Sequence, residues 1–159
     1  MSTSRASQEK VIAVNRKAYH DYAVEETLEA GLVLTGSEIK SIRQGRLNLR
    51  DAYARIEDGE AWLLGMHISP YQQAGRLDQH APDRPRKLLL HREEIRRLTQ
   101  QTQAKGMTLV PLKLALRRGR AKVELGLARG KKLYDKRQSL AEREAQRDIE
   151  RALKMKIRG

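Results

Sequence analysis

Residues 112–127 read LKLALRRGRAKVELGL. Leu112, Leu114 and Leu116 take every second position, Arg118-Gly119 interrupts them, and Val123, Leu125 and Leu127 resume the alternation. Alternation on both sides of a two-residue turn marks a β-hairpin with one buried face. Lys122 falls between Ala121 and Val123, so its ammonium is expected on the solvent side.

The same pattern recurs upstream. Ala52, Ala54 and Ile56 alternate, Asp58-Gly59 supplies a turn, and Trp62, Leu64, Met66 and Ile68 alternate on the return. From Tyr22 to Leu34 the even positions Tyr22, Val24, Leu28, Ala30, Leu32 and Leu34 are apolar, which predicts another strand. Glu25, Thr27 and Glu29 then point the other way, and Gly31 marks a candidate bulge or bend. Ser37 is placed to cap a short helix from Glu38 to Gln44, with Ile39 and Ile42 inward and Gly45 ending it. Residues 69–86, with Pro70, Gly75, Pro82 and Pro85, read as a long loop, and Leu88–Leu90 as a short strand. REEIRRLTQQTQ (92–103) reads as a helix with Ile95 and Leu98 inward, ended by Gly106. About six strands and two or three short helices predict a mainly β protein, a closed or nearly closed antiparallel barrel.

Charge narrows the function. The 159 residues hold 33 Lys+Arg against 20 Asp+Glu, a formal net charge of +13. Solubility alone asks for a magnitude of roughly 2 to 8. The excess points to a polyanion, either nucleic acid or an anionic membrane surface. Aromatics are only 4% and Phe is absent. Single-strand binders stack bases on aromatic platforms, so shape and backbone recognition of folded RNA is favoured. Basic residues gather at Asn15-Arg16-Lys17, at Arg117, Arg118, Arg120 and Lys122, and at Arg129-Gly130-Lys131-Lys132.

Enzyme chemistry finds little footing. No cysteine is present, which excludes disulfides, Cys-ligated zinc and a thiol nucleophile. His20, His67, His80 and His91 form no metal-ligand spacing, and no nucleophile elbow, Walker or dinucleotide-binding glycine pattern occurs. A non-enzymatic protein without metal or cofactor is expected. The competing readings are an RNA-processing enzyme using His20 and His91, and a structural ribosomal protein. No apolar run approaches the roughly 18 residues that span a bilayer. The opening MSTSRASQEK lacks the apolar core of a signal peptide, so a cytoplasmic protein is expected.

Composition divides the chain into a mobile segment 1–12, a barrel 13–130 and a basic tail 131–159. In the tail, Ser139 and Glu142 have capping-box spacing. Ala145, Ile149, Ala152 and Leu153 make a thin apolar stripe beside a basic one of Arg143, Arg147, Arg151 and Lys154. So thin a stripe buries little, and an isolated helix is marginal in water. The tail is expected to be disordered when free and helical when bound.

Several segments occur in a distinctive order: NRKAYHDY (15–22), LEAGLVLTGSEIKSIRQG (28–45), DAYARIEDGEAWL (51–63), HISPY (67–71), RKLLLHREEI (86–95), GMTLVPLKLAL (106–116), KVELGLARGKKLYDKR (122–137) and EREAQRDIERA (142–152). From about Asn15 to Leu153 the chain resembles the SmpB family, the bacterial SsrA-binding proteins. GLARGKKLYDKR and GSEIKSIRQG are the most distinctive pieces. The resemblance implies an OB-like barrel that binds the tRNA-like domain of transfer-messenger RNA. With elongation factor Tu, held through the RNA, the complex would enter ribosomes stalled without a stop codon, for rescue and peptide tagging. It implies RNA contacts at Glu29, Leu89, Lys122, Gly130, Lys131 and Lys132, with Asn15, Lys17 and His20 as further ones. It assigns Tyr134, Asp135, Lys136 and Arg137 to ribosome function. The tail, including Arg143, Arg147 and Arg151, would lie in the empty message channel near the decoding centre of the small subunit.

Overall fold

The computed structural model describes residues 9–75, 79–131 and 147–151. In chain order the elements are β1 (Glu9–Val14), α1 (Arg16–Asp21), β2 (Tyr22–Leu32), α2 (Gly36–Arg43), β3 (Leu47–Asn48) and β4 (Tyr53–Glu57), then β5 (Glu60–Leu64), β6 (His67–Ile68), β7 (Arg86–Leu89), α3 (Arg92–Ala104), β8 (Thr108–Arg117) and β9 (Arg120–Gly130). The main sheet runs β1-β8-β4-β5-β7-β2-β9, and β9 pairs again with β8. That last pairing closes six strands, β8-β4-β5-β7-β2-β9, into a ring, with β1 attached outside. The expected barrel of about six strands is what forms, and every neighbouring pair is antiparallel.

The two hairpin turns form as their sequences demand. Asp58 and Gly59 have φ 52 and 74, and Arg118 and Gly119 have φ 52 and 74. Two consecutive left-handed residues match the right-handed twist of the flanking strands. Leu28, Ala30, Leu63, Leu88, Leu109, Leu114, Val123 and Leu125 fill the ring, and Leu98 of α3 is also buried there.

Several details differ from the sequence reading, each for a local reason. In β8 the register shifts between Pro111 and Lys113. This bulge turns Leu112 away from Leu114 and Leu116. It joins Val110, Ala128 and Ala18 in a second cluster on the outside of the ring, beneath α1. On the return of the first hairpin Ala61 and Leu63 are buried, while Trp62 and Leu64 are only half-buried. Gly65, at φ 76, resets the phase, so Met66 and Ile68 point inward again. Ile68 then belongs to β6, which pairs only with β3 in a separate two-stranded sheet.

Helix α2 is capped by Thr35, not Ser37: Thr35 and Glu38 form a reciprocal capping box. Ser37 is buried, and its hydroxyl shares a 2.9 Å hydrogen bond with His80 Nδ1. The irregularity of β2 falls between Val24 and Glu26, not at Gly31. Strand β1 begins at Glu9, inside the segment 1–12 that composition marked as mobile, because the half of β8 beyond its pairing with β4 offers it an edge.

The largest buried polar group is ionic. Glu38 and Arg86 are both fully buried. Arg86 Nε donates to Glu38 Oε2 at 2.6 Å, Nη1 to the Met66 carbonyl at 2.5 Å, and Nη2 to the Pro82 carbonyl at 3.0 Å. Arg84 donates to both oxygens of the same carboxylate. The Thr35 N–H donates to Oε1 at 2.9 Å. Burial pushes the Glu38 carboxyl up, but the hydrogen bonds from Arg84, Thr35 and Arg86 outweigh it and hold the pKa at about 2.

Two outcomes follow from this packing. The folded value of Glu38 lies below its ordinary 4.5, so its contribution is complete above about pH 4.5 and is lost as pH falls toward 2. Glu38→Gln leaves Arg86 buried and unpaired, which costs about 3–5 kcal/mol at neutral pH. It should also flatten the acid limb, as urea midpoints measured from pH 2 to 6 would register. Separately, a Cβ on Gly126 would lie 2.9 Å from Leu112 Cδ1. Gly126→Ala should therefore destabilise by about 1–3 kcal/mol, and by less in a Leu112→Ala background, as a double-mutant cycle would measure.

Candidate nucleic-acid interface

Strand register assembles one outward-facing row from five strands. Val11 pairs with Ala115, Ala115 with Lys122, Lys122 with Gly31, and Gly31 with Leu89. Cross-strand partners point to the same face of a sheet. Lys122 therefore rises between two small residues, Ala115 and Gly31. Val11 and Leu89, 49% and 54% exposed, stand at the two ends of the row. Gly31 permits the close approach: a Cβ there would lie 3.3 Å from Leu89 Cβ.

The next row carries Lys113, Glu124 and Glu29, paired in that order. Together the two rows line a groove of about 260 Å³ whose charged walls are Glu9, Glu29, Glu124, Lys113 and Lys122. Lys113 lies 3.5 Å from Glu124. Three carboxylates with two ammonium groups make a poor cradle for a bare phosphate. They suit a ligand offering both donors and anions, such as ribose hydroxyls or base edges beside a sugar-phosphate backbone. Glu29 and Lys122, expected separately from sequence, are thus brought into one groove with Leu89 at its margin. Lys113, Glu124 and Glu9 are newly found there, since only the register reveals them.

A second patch lies at the far end of the same strand pair, where Tyr22 faces Gly130. Tyr22 and Gly31 are nine residues apart on β2, roughly 30 Å at the rise of an extended strand. Here α1 packs Ala18 against Val110, Leu112 and Ala128. Lys131 Nζ donates to the Tyr19 carbonyl at 3.1 Å, which draws the start of the tail to α1. His20, with its side chain 85% exposed, shares a 2.9 Å hydrogen bond with Asp21. The helix makes this sequence-adjacent pair meet, which a strand would not. Lys17 Nζ lies 2.8 Å from Asp51 Oδ1, and that hydrogen bond holds the Asp51 carboxyl below its ordinary value.

Asn15 lies inside the fold, unlike Lys17 and His20. It is 3% exposed. Its Oδ1 accepts from the Ala18 N–H at 3.2 Å, and Nδ2 donates to the Leu49 and Pro111 carbonyls at 2.9 and 3.0 Å. With its amide fully used, it caps α1 and ties it to β8. Its side chain is thus bonded within the protein, at the start of the helix that carries Lys17 and His20.

His80 is buried between Ser37 and the Ile68 carbonyl, and His67 lies 2.8 Å from Asp83. His91 precedes α3, where its main-chain N–H donates to Glu94. Among the described residues no cluster of His, Asp or Glu could hold a metal, and no helix is long and apolar enough to cross a membrane. Arg147 and Arg151 lie on an exposed helical turn, 147–151. Lys132, Tyr134, Asp135, Lys136, Arg137 and Arg143 fall outside the described residues.

The model of the SmpB protein family matches residues 12–155. A relative from Roseiflexus sp. (strain RS-1), named SsrA-binding protein, is 66% identical over 150 residues, spanning 94% of this chain and 95% of its own. Another SsrA-binding protein, from Carboxydothermus hydrogenoformans, is 62% identical over 146 residues, spanning 92% and 97%. A solved chain from "tmRNA-SmpB: a journey to the center of the bacterial ribosome" superposes with TM-score 0.63 at 50% identity, covering 76% of this chain and 84% of that one. With a ring of six strands, an outward Lys122 groove and these relatives, the chain belongs to the SmpB family.

Proposed function

We propose that this protein is an RNA-binding adaptor. It binds the tRNA-like domain of transfer-messenger RNA and delivers it to stalled ribosomes for rescue and tagging. The observation that carries the reading is the register row in which Lys122 stands between Ala115 and Gly31 with Leu89 beside it. Its support is the family, whose members are named for SsrA binding, and the solved relative, described in a tmRNA-SmpB complex at the ribosome.

In this reading the barrel grips RNA at two places. Glu29 accepts hydrogen bonds from ribose or base, Lys122 supplies charge, and Leu89 packs on an unstacked base. At the other end Lys17, His20, Gly130, Lys131 and Lys132 meet the backbone. Lys131 exchanges its carbonyl partner for phosphate, and Gly130 lets the strands come close to the RNA.

The tail does separate work in the cytoplasm, on the ribosome. Tyr134, Asp135, Lys136 and Arg137 engage the decoding centre. Arg143, Arg147 and Arg151 line a helix that enters the message channel. Elongation factor Tu joins through the RNA and not through this chain.

Each half has its own test. Lys131→Ala with Lys132→Ala should weaken binding to the tRNA-like RNA and lower the log–log salt slope by up to about 1.8, if both meet duplex phosphates; an unchanged slope removes both from the interface. Asp135→Ala with Arg137→Ala should leave RNA affinity intact and abolish tagging in a reconstituted stalled-ribosome assay. Loss of RNA binding in that variant would contradict the division between barrel and tail.

A further inference from the structure

The hairpin tip joining β8 and β9 concentrates arginine side chains. Arg117 and Arg120 are direct cross-strand partners around the Arg118-Gly119 turn. Like charges directly opposite each other on one face destabilise a sheet. A third guanidinium arrives from another element. Arg43, the last residue of α2, places Nη2 where a Cβ on Gly119 would lie 3.5 Å from it. Among the described residues, Arg43, Arg117 and Arg120 make no ion pair. Glu9 faces Arg117 across β1 and β8, which leaves the row Glu9–Arg117–Arg120 with one carboxylate to two guanidinium groups. Nearby Lys40 is engaged over the Tyr71 ring and belongs elsewhere.

The tip also continues the RNA face. On β9, Arg120 and Lys122 are alternate residues and share a side. On β8, Arg117 follows Lys113 and Ala115 of the same face. The mixed-charge groove around Lys122 therefore gives way, one row further on, to a rim in which Arg117 and Arg120 outnumber the single carboxylate of Glu9. A groove suited to ribose and base lies beside a rim suited to anions. The spacing of adjacent rows, about 7 Å along a strand, is comparable to that of neighbouring groups on one RNA strand.

We propose that Arg43, Arg117 and Arg120 form a phosphate clamp for the backbone of the RNA strand whose sugars and bases lie in the Glu29–Lys122 groove. The clamp rests on the RNA-adaptor reading and extends it. It recognises phosphate without sequence, through guanidinium groups that can each donate a forked pair of hydrogen bonds. Bound phosphate relieves the repulsion between the facing arginines, so the strain of the free protein favours complex formation.

The test uses the full chain, a transcript of the tRNA-like domain, and the variants Arg117→Gln/Arg120→Gln and Lys122→Ala. The clamp requires two results together. Removing the facing charges should hold or raise Tm, because a repulsion is gone. It should also weaken RNA binding and lower the salt slope by up to about 1.8. Arg117→Lys/Arg120→Lys should restore the slope while recovering only part of the affinity. Arg43→Gln, on a separate element, should lower the slope by up to about 0.9, which keeps the proposal testable if the hairpin variant folds poorly. An unchanged slope in Arg43→Gln and the hairpin variant overturns the clamp. If Lys122→Ala alone weakens binding, the clamp fails and the adaptor reading stands. If none of these variants weakens binding but Lys131→Ala with Lys132→Ala does, the clamp and the Lys122 groove fail and the adaptor reading rests on the other patch; if that variant does not either, both readings fail.

Discussion

The buried pairing of Glu38 with Arg86 is the constraint around which the functional face is arranged. Glu38 sits on α2, which follows β2, and Arg86 opens β7. Joining them fixes β7 against β5, through Leu63 opposite Arg86, and against β2, through Gly31 opposite Leu89. A slip of one residue in β7 would carry Arg86 to the outer face and leave the buried Glu38 carboxylate without it. Leu89 would turn inward at the same time. Replacing such a pair by apolar groups often costs nothing in stability. Its use here is to define register, because an ion pair tolerates one alignment where leucines tolerate several.

Much of this arrangement is legible in one dimension. The hairpins at 52–68 and 112–127 declare themselves by period and by Asp58-Gly59 and Arg118-Gly119, because two-residue turns leave the chain few options. The outward direction of Lys122 follows from Ala121 and Val123 being buried. What escapes the sequence is phase. The bulge at Pro111–Lys113 and the left-handed Gly65 each insert half a period, so Leu112 and Leu64 land on faces their spacing denies them. The short helix α1 also escapes, since RKAYHD offers only Ala18 to the core.

The site was legible unevenly. Resemblance supplied Glu29, Leu89 and Lys122, but composition could not have grouped them, for they come from three strands. Register does so, and adds Glu9, Lys113 and Glu124. Asn15 shows what sequence cannot tell about a polar side chain. A polar residue inside a basic motif reads as a ligand contact until its amide is seen to be wholly occupied by the Ala18 N–H and the Leu49 and Pro111 carbonyls. Its amide shapes the start of α1, from which the more exposed Lys17 and His20 project.

Ring closure has a temporal side. Strand β2 finds its main partner in β9, and Tyr22 faces Gly130 only after more than a hundred residues have been made. At about 5–20 residues per second, synthesis holds β2 for many seconds with one edge unsatisfied. During that interval the nascent sheet is open, and open edges invite pairing with other chains. Glu25, Glu26 and Glu29 put three carboxylates along β2, the kind of charge that opposes edge pairing with other chains.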